Sequence, residues 1–309
     1  AVEWKWDGIR SQIVKREGQV AIWSRGEELI SQSFPELIEL GKSLADGTVL
    51  DGEILAFAND KVRAFADLQK RLQRKKVSDK MVKENPVVFY AFDCLQVHNT
   101  DIRDQPLRER RLALDTIVDE LKHPSLRSST LINMDSWEKL LELRGESRSR
   151  GVEGLMLKRW SSVYQMGRKK GDWWKWKIDP MTLDAVMLYA QAGHGKRANL
   201  YTDYTFGLWK DDKLVPFAKA YSGLSNEEIN KLDAWIRKNT LEKFGPVRSV
   251  KAHKVFEIAF EGIQLSPRHK AGIAVRFPRI LRERLDKKME EADTLATAME
   301  LLNAPTLEV

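Results

Sequence analysis

The first ten residues read Ala1-Val2-Glu3-Trp4-Lys5-Trp6-Asp7-Gly8-Ile9-Arg10. Apolar and polar residues alternate from Val2 to Asp7, which predicts a half-buried strand ended by Gly8. Lys5 then lies beside two indoles, where partial desolvation disfavours the ammonium and makes a neutral, nucleophilic amine more available. A lysine whose stem packs along tryptophans on its way to water would show the same pattern. The segment identifies Lys5 as a candidate nucleophile and leaves both interpretations open.

The composition is that of a globular protein with a basic surface. The chain has 309 residues, of which 42% are hydrophobic and 31% charged, and no apolar run approaches the ~18 residues of a membrane span. Cys94 is the single cysteine, so an intramolecular disulfide is excluded, and we expect it to be a small buried residue. A net charge of +7 favours a polyanionic partner. We expect a monomeric, cytoplasmic protein with no membrane association.

The hydrophobic patterns predict two domains, 1–180 and 181–309. Pro180 is the predicted boundary. Beyond it, short glycine-punctuated strands and one helix over 226–239 predict a small β-barrel. The first domain is predicted to be α+β, with a hairpin over 3–25, strands over 48–55, 86–95, 151–158 and 172–180, and helices over 34–44, 63–76, 106–121 and 137–144.

Three polar features in the first domain allow two interpretations each. Gly52 permits a close backbone approach, so Glu53 either faces a ligand or belongs to an acidic turn. The helix over 63–76 is strongly basic, which suits a solvated face or contact with phosphates. Phe92 belongs either to the core or to a surface that stacks on a base.

Charged residues mark two further strands. Lys175 and Lys177 share one face of a strand, and two adjacent ammonium groups repel unless an anion lies between them or both face water. We favour the anion. Glu153 and Lys158 occupy the two ends of a short apolar strand, a pair that would suit metal or phosphate chemistry.

Six blocks of this sequence, in order, resemble the ATP-dependent DNA ligases of the covalent nucleotidyltransferase superfamily, especially the bacterial members. The resemblance covers nearly the whole chain and implies an α+β adenylation domain with antiparallel sheets, followed by an OB-fold. The blocks are Lys5 to Arg10, Val49-Leu50-Asp51-Gly52-Glu53, Phe89-Tyr90-Ala91-Phe92-Asp93, Glu153-Gly154-Leu155-Met156-Leu157-Lys158, Trp174-Lys175-Trp176-Lys177, and Arg276-Phe277-Pro278-Arg279 continuing to Asp286-Lys287.

The resemblance also implies roles for single residues in the first domain. Lys5 is expected to attack the α-phosphorus of ATP, forming a lysyl-AMP and expelling pyrophosphate. Glu3 and Phe92 are expected at the adenine, with Phe92 stacking on it. Arg10 and Arg25 are expected to bind the ribose, the phosphates or the 5′-phosphate of a nick through their planar guanidinium forks.

The remaining roles concern metal and phosphate. Glu53 is expected at the ribose or, with Glu153, at Mg²⁺, for which Mn²⁺ could substitute. Lys175 and Lys177 are expected to hold the α-phosphate. Arg279, Asp286 and Lys287 match the family's block for the leaving pyrophosphate, and neighbouring basic residues are phosphate contacts or solvated surface: Arg276, Arg282, Arg284 and Lys288.

The implied function is sealing of 5′-phosphate/3′-hydroxyl nicks in duplex DNA through a lysyl-AMP and a 5′-adenylated DNA. An mRNA-capping guanylyltransferase shares the lysine block, the acidic strand and the paired lysines, and a non-catalytic OB-fold protein would need only the basic charge. Larger family members carry a DNA-binding domain before the nucleophile. Because Lys5 lies so close to the first residue, we expect the chain to be a catalytic core whose partner domain is missing.

Overall fold

The computed structural model describes residues 1–72, 74, 77–167 and 169–302, apart from the side chain of residue 196. The chain divides into two compact units, unit 1 over Ala1–Ile178 and unit 2 from Asp179 onward. Lys75 and Lys76 of the predicted basic helix lie outside the described residues. No helix within the described ranges is long and apolar enough to cross a membrane.

Unit 1 is built mainly from antiparallel strands with five helices in its described part. The helices are α1 (Pro35–Ser43), α2 (Phe65–Leu72), α3 (Asp79–Glu84), α4 (Leu107–Leu121) and α5 (Trp137–Gly145). The strands are β1 (Val2–Trp4), β2 (Ile9–Arg16), β3 (Gln19–Ser24), β4 (Thr48–Ala58), β5 (Lys61–Val62), β6 (Val87–Val97), β7 (Thr100–Asp101), β8 (Leu126–Ser128), β9 (Gly154–Lys158) and β10 (Trp173–Lys177).

Two sheets of unit 1 carry the predicted site residues. The larger sheet has the order β3-β2-β4-β6-β7, with β5 paired to β4 and β8 running parallel to β6. The smaller sheet has the order β1-β9-β10. The core lies between the larger sheet and helices α1 and α4, where Ile13, Leu50, Phe89 and Leu114 are fully buried. Cys94 is buried in the same core, as predicted.

Several sequence predictions for unit 1 need correction. Strand β1 ends at Trp4, so Lys5 follows the strand instead of lying inside it. Helix α1 begins at Pro35, and Phe34, the first residue of the predicted helix, is its N-cap residue with no side-chain cap. Gly52 allows the close approach of a neighbouring strand and not of a ligand. A Cβ at this position would lie 2.6 Å from the Tyr90 carbonyl oxygen.

The predicted basic helix is shorter and less available to phosphates than expected. It spans Phe65–Leu72, and Arg71 is fully buried. The Arg71 guanidinium binds the carboxylate of Glu36 and donates to the carbonyl oxygen of Ser33 at 2.7 Å. Lys70 pairs with Asp67. Arg71 therefore serves the fold of unit 1, and its interpretation as part of a solvated or phosphate-binding face is wrong, whereas Lys70 lies on the surface with a 57% exposed side chain.

Unit 2 is a second antiparallel β structure, centred on its long first strand. Strand β11 pairs with three partners, β12, β15 and β16. Aromatic residues fill the core, including Tyr204, Phe206 and Phe256. The helix predicted over 226–239 is confirmed at the same bounds. The described elements are β11 (Met181–Ala192), β12 (Tyr201–Lys210), β13 (Lys213–Ala220), α6 (Asn226–Asn239), β14 (Thr240–Phe244), β15 (Val247–Val250), β16 (Val255–Phe260), β17 (Gly262–Leu265), β18 (Ile273–Arg276), β19 (Arg279–Glu283) and α7 (Leu295–Leu302).

Candidate functional site

Lys5 is held against β9 by backbone pairing and by an ion pair. Its N–H donates to the carbonyl oxygen of Gly154 and its carbonyl oxygen accepts from the N–H of Glu153, both at 2.8 Å. The Lys5 ammonium contacts the Glu153 carboxylate, and Lys177 Nζ lies 3.2 Å from the same oxygen. Gly154 has φ +139°, and a Cβ there would lie 2.3 Å from the Trp176 carbonyl oxygen. This close approach of β10 brings the two lysines to one carboxylate.

Further positive charge surrounds this pair. Burial lowers the pKa of Lys175, and the nearby charges of Lys5, Arg25 and Lys177 lower it further, against the raising effect of Glu153. Burial alone would raise the pKa of Glu153, but Lys5 and Lys177 bring it below its ordinary value. The named cations thus outnumber the carboxylate, an arrangement suited to an anion with several negative charges.

Arg10 is fixed by Asp51 and Tyr164. Its Nε and Nη2 atoms lie 3.3 and 2.8 Å from the two carboxylate oxygens of Asp51, which is fully buried. The Tyr164 hydroxyl donates to Asp51 at 2.6 Å and accepts from Arg10 Nη2 at 3.3 Å. Arg10 Nη1 makes no hydrogen bond to a described residue. Asp51 thus occupies the Nε and Nη2 edge of the guanidinium, and the expectation that Arg10 binds the ribose or a phosphate stays a prediction for its Nη1 side.

Glu53 lies opposite Arg10 in the pairing of β2 with β4. Burial raises its pKa to about 7, although Lys5 and Arg10 act in the opposite direction and the N–H of Gly8 donates a hydrogen bond to it. A Cβ on Gly8 would lie 2.3 Å from the Ile54 carbonyl oxygen, so a larger residue would push this turn away from β4. The glycine of the opening segment thus lets the chain pass close to Glu53.

A divalent metal fits this region by its donor chemistry. Glu53 and Glu153 offer hard carboxylate oxygens close to Lys5. Within the described residues no three histidine, cysteine or acidic side chains lie close enough to hold an ion by themselves. Mg²⁺ is commonly held by one or two carboxylates together with substrate phosphates and water, so two carboxylates suffice when a nucleotide is present.

Glu3 belongs to a buried network at the other end of β9. Its carboxylate accepts from Lys158 Nζ at 2.7 Å and from Arg111 Nη1 at 3.1 Å, and all three residues are at most 5% exposed. Lys158 Nζ also lies 4.5 Å from the centre of the Phe92 ring and 4.4 Å from that of Trp173. Lys158 thus pairs with Glu3 at the opposite end of β9 from Glu153, so the two residues suggested for joint metal or phosphate chemistry lie apart.

The unit 2 candidates Arg279, Asp286 and Lys287 each form an ion pair within unit 2. Arg279 Nη1 lies 2.8 Å from a Glu261 oxygen. Arg284 donates from Nε and Nη2 to Asp286 at 3.0 and 2.8 Å. This pairing holds the pKa of Asp286 well below its usual range. Lys287 pairs with a residue that the sequence analysis did not single out, Asp184 of β11.

The structure thus gathers most of the predicted residues of unit 1 and adds others that sequence reasoning missed. Glu53, Lys175, Lys177, Glu153 and Arg25 lie near Lys5, with Phe92 beside Arg10. The missed residues are Arg111, Tyr164 and Asp184. Arg111 lies on a helix and Tyr164 in a loop, and each makes its contact with a residue more than a hundred positions away. No local pattern could reveal such pairs.

Comparison with known proteins places both units in one family. The model of the ATP dependent DNA ligase domain matches residues 1–177, and that of the ATP dependent DNA ligase C terminal region matches residues 197–287. A probable DNA ligase of Koribacter versatilis is 41% identical over 97% of this chain and 56% of its own length. A DNA ligase of Methanococcoides burtonii is 36% identical over 96% of this chain and 53% of its own. The chain spans about half the length of these curated relatives.

Solved structures agree on the fold. The ligase domain of Mycobacterium tuberculosis LigD is 26% identical with a TM-score of 0.50, covering 94% of this chain and 91% of that one. A Lig E DNA ligase, from a study of DNA binding with a minimal scaffold, has a TM-score of 0.63 at 20% identity, covering 92% and 91%. The predicted architecture, an α+β adenylation domain with antiparallel sheets and an OB-fold, is confirmed. The chain belongs to the ATP-dependent DNA ligase family.

Proposed function

We propose that these two units carry out ATP-dependent sealing of nicks in duplex DNA, with Lys5 as the residue that becomes adenylated. The supporting observation is the position of Lys5 in contact with Glu153 and among Lys175, Lys177 and Arg25. The phosphates of a nucleoside triphosphate carry several negative charges, which would balance these cations. In this proposal 1–180 is the adenylation domain and 181–309 the OB-fold domain.

The first step of the proposed reaction forms a bond between Lys5 Nζ and the α-phosphorus of ATP. The bond from that phosphorus to the bridging oxygen breaks, and pyrophosphate leaves. The amine must be neutral to attack, so the Lys5 ammonium first loses a proton, and the contacting Glu153 carboxylate is the proposed acceptor of that proton. Lys175 and Lys177 stabilise the charge that develops on the α-phosphate. In the later steps, AMP passes to the 5′-phosphate of the nick, and the 3′-hydroxyl then displaces it.

The buried end of β9 suits the nucleobase. Phe92 offers a half-buried ring face for stacking, and Lys158 and Glu3 bring a donor and an acceptor next to it. We propose that Glu3 and Lys158 read the edge of the adenine. Arg10, with its Nη1 atom directed away from Asp51, and Glu53 would contact the ribose or phosphates. Arg25 would bind a phosphate, including the 5′-phosphate of the nick.

A magnesium ion would be held by Glu53 and Glu153 together with the nucleotide phosphates. When bound, it would neutralise phosphate charge during the transfer. The carboxyl of Glu53 must ionise to bind it. A pKa of about 7 means that a substantial fraction is protonated near neutral pH in the metal-free protein. Arg279, Asp286 and Lys287 of unit 2 are proposed to act at the leaving pyrophosphate.

The proposal also covers the partners of the whole protein. Nicked duplex DNA is the proposed substrate, and the bacterial cytosol or nucleoid is the proposed location. The proposed chemistry needs one copy of the chain. The curated relatives are nearly twice as long as this chain. That length is compatible with the proposed additional DNA-binding domain.

Labelled nucleotides test the proposed activity. The protein is incubated with Mg²⁺ and either ATP or GTP labelled at the α-phosphate, then given DNA carrying a single 5′-phosphorylated nick. We expect label on the protein from ATP, transfer to the nick and a sealed strand. Label from GTP would indicate a capping-type guanylyltransferase, and no label from either nucleotide would indicate a nucleic-acid-binding protein without this chemistry.

A further inference from the structure

Asp184 is a buried carboxylate placed between the two basic residues of the Arg284 to Lys287 segment. It is 7% exposed, and its Oδ2 atom accepts from Arg284 Nη1 at 2.6 Å and from Lys287 Nζ at 2.7 Å. Its Oδ1 atom is buried and has no hydrogen-bond partner among the described residues. Burying a carboxylate is unfavourable unless it is paired, and Arg284 and Lys287 supply that pairing for Asp184.

The position of Asp184 is fixed by the backbone. The residue lies within β11, between the buried Leu183 and Ala185. Its N–H donates to the Asp293 carboxylate at 2.7 Å, and its carbonyl oxygen accepts from the Asp293 N–H at 2.8 Å. The carboxylate therefore projects from a rigid strand, whereas Arg284 and Lys287 follow β19 outside regular structure.

Asp184 orders this segment through both cations. Arg284 bridges Asp184 to Asp286, because Nη1 binds Asp184 while Nε and Nη2 bind Asp286. Lys287 has three N–H donors on its ammonium, and one of them goes to Asp184. This contact leaves two donors on the Lys287 ammonium for other acceptors.

We propose that Asp184 is a positioning residue, which orients Lys287 directly and Asp286 through Arg284 for their action on the leaving pyrophosphate. This inference rests on the proposed function of Asp286 and Lys287. Asp184 itself contacts no nucleotide atom in this proposal. Its removal should therefore impair the step that releases pyrophosphate and spare the later step, in which an already adenylated nick is joined.

The Asp184→Asn variant of the full chain tests this role. We measure the rate of AMP attachment from ATP and, separately, the sealing of a nick supplied with a 5′-adenylate. Attachment should fall by about tenfold or more, and sealing of the adenylated nick should change by less than about twofold. Equal losses in the two assays would overturn the proposal, because they would place Asp184 in folding or DNA binding.

Asp233→Asn is the matched control. Asp233 is also 7% exposed and lies in the same unit, where it pairs with Arg237 at 2.7 Å and accepts from the Tyr201 N–H at 3.0 Å. It has no contact with the segment from Arg284 to Lys287. This variant should keep its rate of AMP attachment. A matching loss of attachment in Asp233→Asn would show that any buried carboxylate of unit 2 has this effect, and would contradict the specific role.

A double-mutant cycle with Lys287→Met separates positioning from a general structural role. Because Asp184 acts partly through Lys287, Asp184→Asn should slow attachment less in the Lys287→Met background than in the unmodified protein, with the remaining loss arising through Arg284 and Asp286. An undiminished loss in that background would overturn the proposal. If Asp184→Asn does not fold, Asp184→Glu keeps the charge but shifts it by one methylene, and normal attachment in that variant would contradict the inference. Failure of the unmodified protein to attach AMP would instead refute the proposed function itself.

Discussion

Strand β9 separates two charged regions of unit 1 that differ in burial and in charge balance. At its Lys158 end, Glu3, Lys158 and Arg111 are buried, and Asp115 adds a second carboxylate to Arg111. At its Glu153 end, Lys5 and Lys177 are 19% and 36% exposed and share one carboxylate, with Lys175 and Arg25 close by. The charges of the first region are balanced by other protein side chains. The second region carries excess positive charge and is in contact with solvent.

This difference assigns different physical roles to residues of similar chemistry. A buried, balanced network fixes the shape of its surroundings, and removing one member leaves an uncompensated charge. A partly exposed group of cations costs less free energy, because water solvates part of the charge. Such a group is stabilised most when an anion binds to it. We therefore expect substitutions at the Lys158 end to reduce stability most, and substitutions at the Glu153 end to reduce activity most.

Glu3→Gln should produce the largest loss of stability. It leaves Lys158 and Arg111 buried with one carboxylate fewer, at a cost of about 3–5 kcal/mol. Asp115→Asn is the control, because it removes a 39% exposed partner of the same arginine and should cost less than about 1 kcal/mol. Urea unfolding of both variants measures the difference. Equal losses would contradict the contrast between the two regions.

Glu153→Gln should keep the stability of the protein and lose its activity. The amide still accepts a hydrogen bond but no longer balances Lys5 and Lys177. By analogy with the removal of other electrostatic groups, we expect AMP attachment to fall by about 10²–10³-fold. Sealing of a 5′-adenylated nick should fall as well. A normal rate of attachment in this variant would remove Glu153 from the proposed mechanism.

Glu53 should make stability depend on pH in metal-free buffer. Its folded-state pKa of about 7 lies above the ordinary 4.5, so its stabilising effect is complete below about pH 4.5 and is lost as pH rises toward 7. The change amounts to about 3 kcal/mol at 1.36 kcal/mol per pKa unit. Relative to the unmodified protein, Glu53→Gln should therefore gain stability between pH 5 and about 7. Parallel stability curves for the two proteins would show that Glu53 has an ordinary pKa.

Tyr164→Phe should have the smallest effect of this series. It removes the hydroxyl that donates to Asp51 and accepts from Arg10, at a cost of about 1 kcal/mol, or a few-fold in the KM for ATP. The exposed Tyr221 provides the control Tyr221→Phe, which should leave KM unchanged. If Tyr164→Phe also leaves KM unchanged, Asp51 holds Arg10 without help from Tyr164.

The strands and helices that were predicted correctly are those with a regular local pattern of buried side chains. The apolar runs predicted β6 and β9, and the helical patterns predicted α4 and α6, because burial of side chains along one element produces a regular pattern in the sequence. The early end of β1 was missed, since Lys5 continues the backbone pairing with β9 beyond the last strand residue. Short strands such as β14 were also missed, since their exposed residues show little alternation.

The candidate site shows the same limit. The block of residues around Lys5 could be assembled from motifs, but the partner of each charged group could not. Asp51 was visible only as a neighbour of Glu53, although its carboxylate binds Arg10. No local pattern showed that Lys158 pairs with Glu3. These contacts depend on strand register, which brings residues far apart in sequence to adjacent positions.

Adenylation of Lys5 is the most direct test of the account. The protein is incubated with Mg²⁺ and α-labelled ATP, digested, and the modified peptide identified by mass spectrometry, alongside Lys5→Arg as the matched variant. We predict one AMP attached through Lys5 Nζ, and no attachment in Lys5→Arg despite a normal unfolding curve. AMP found on another residue, or persisting in the folded Lys5→Arg variant, would contradict the central claim.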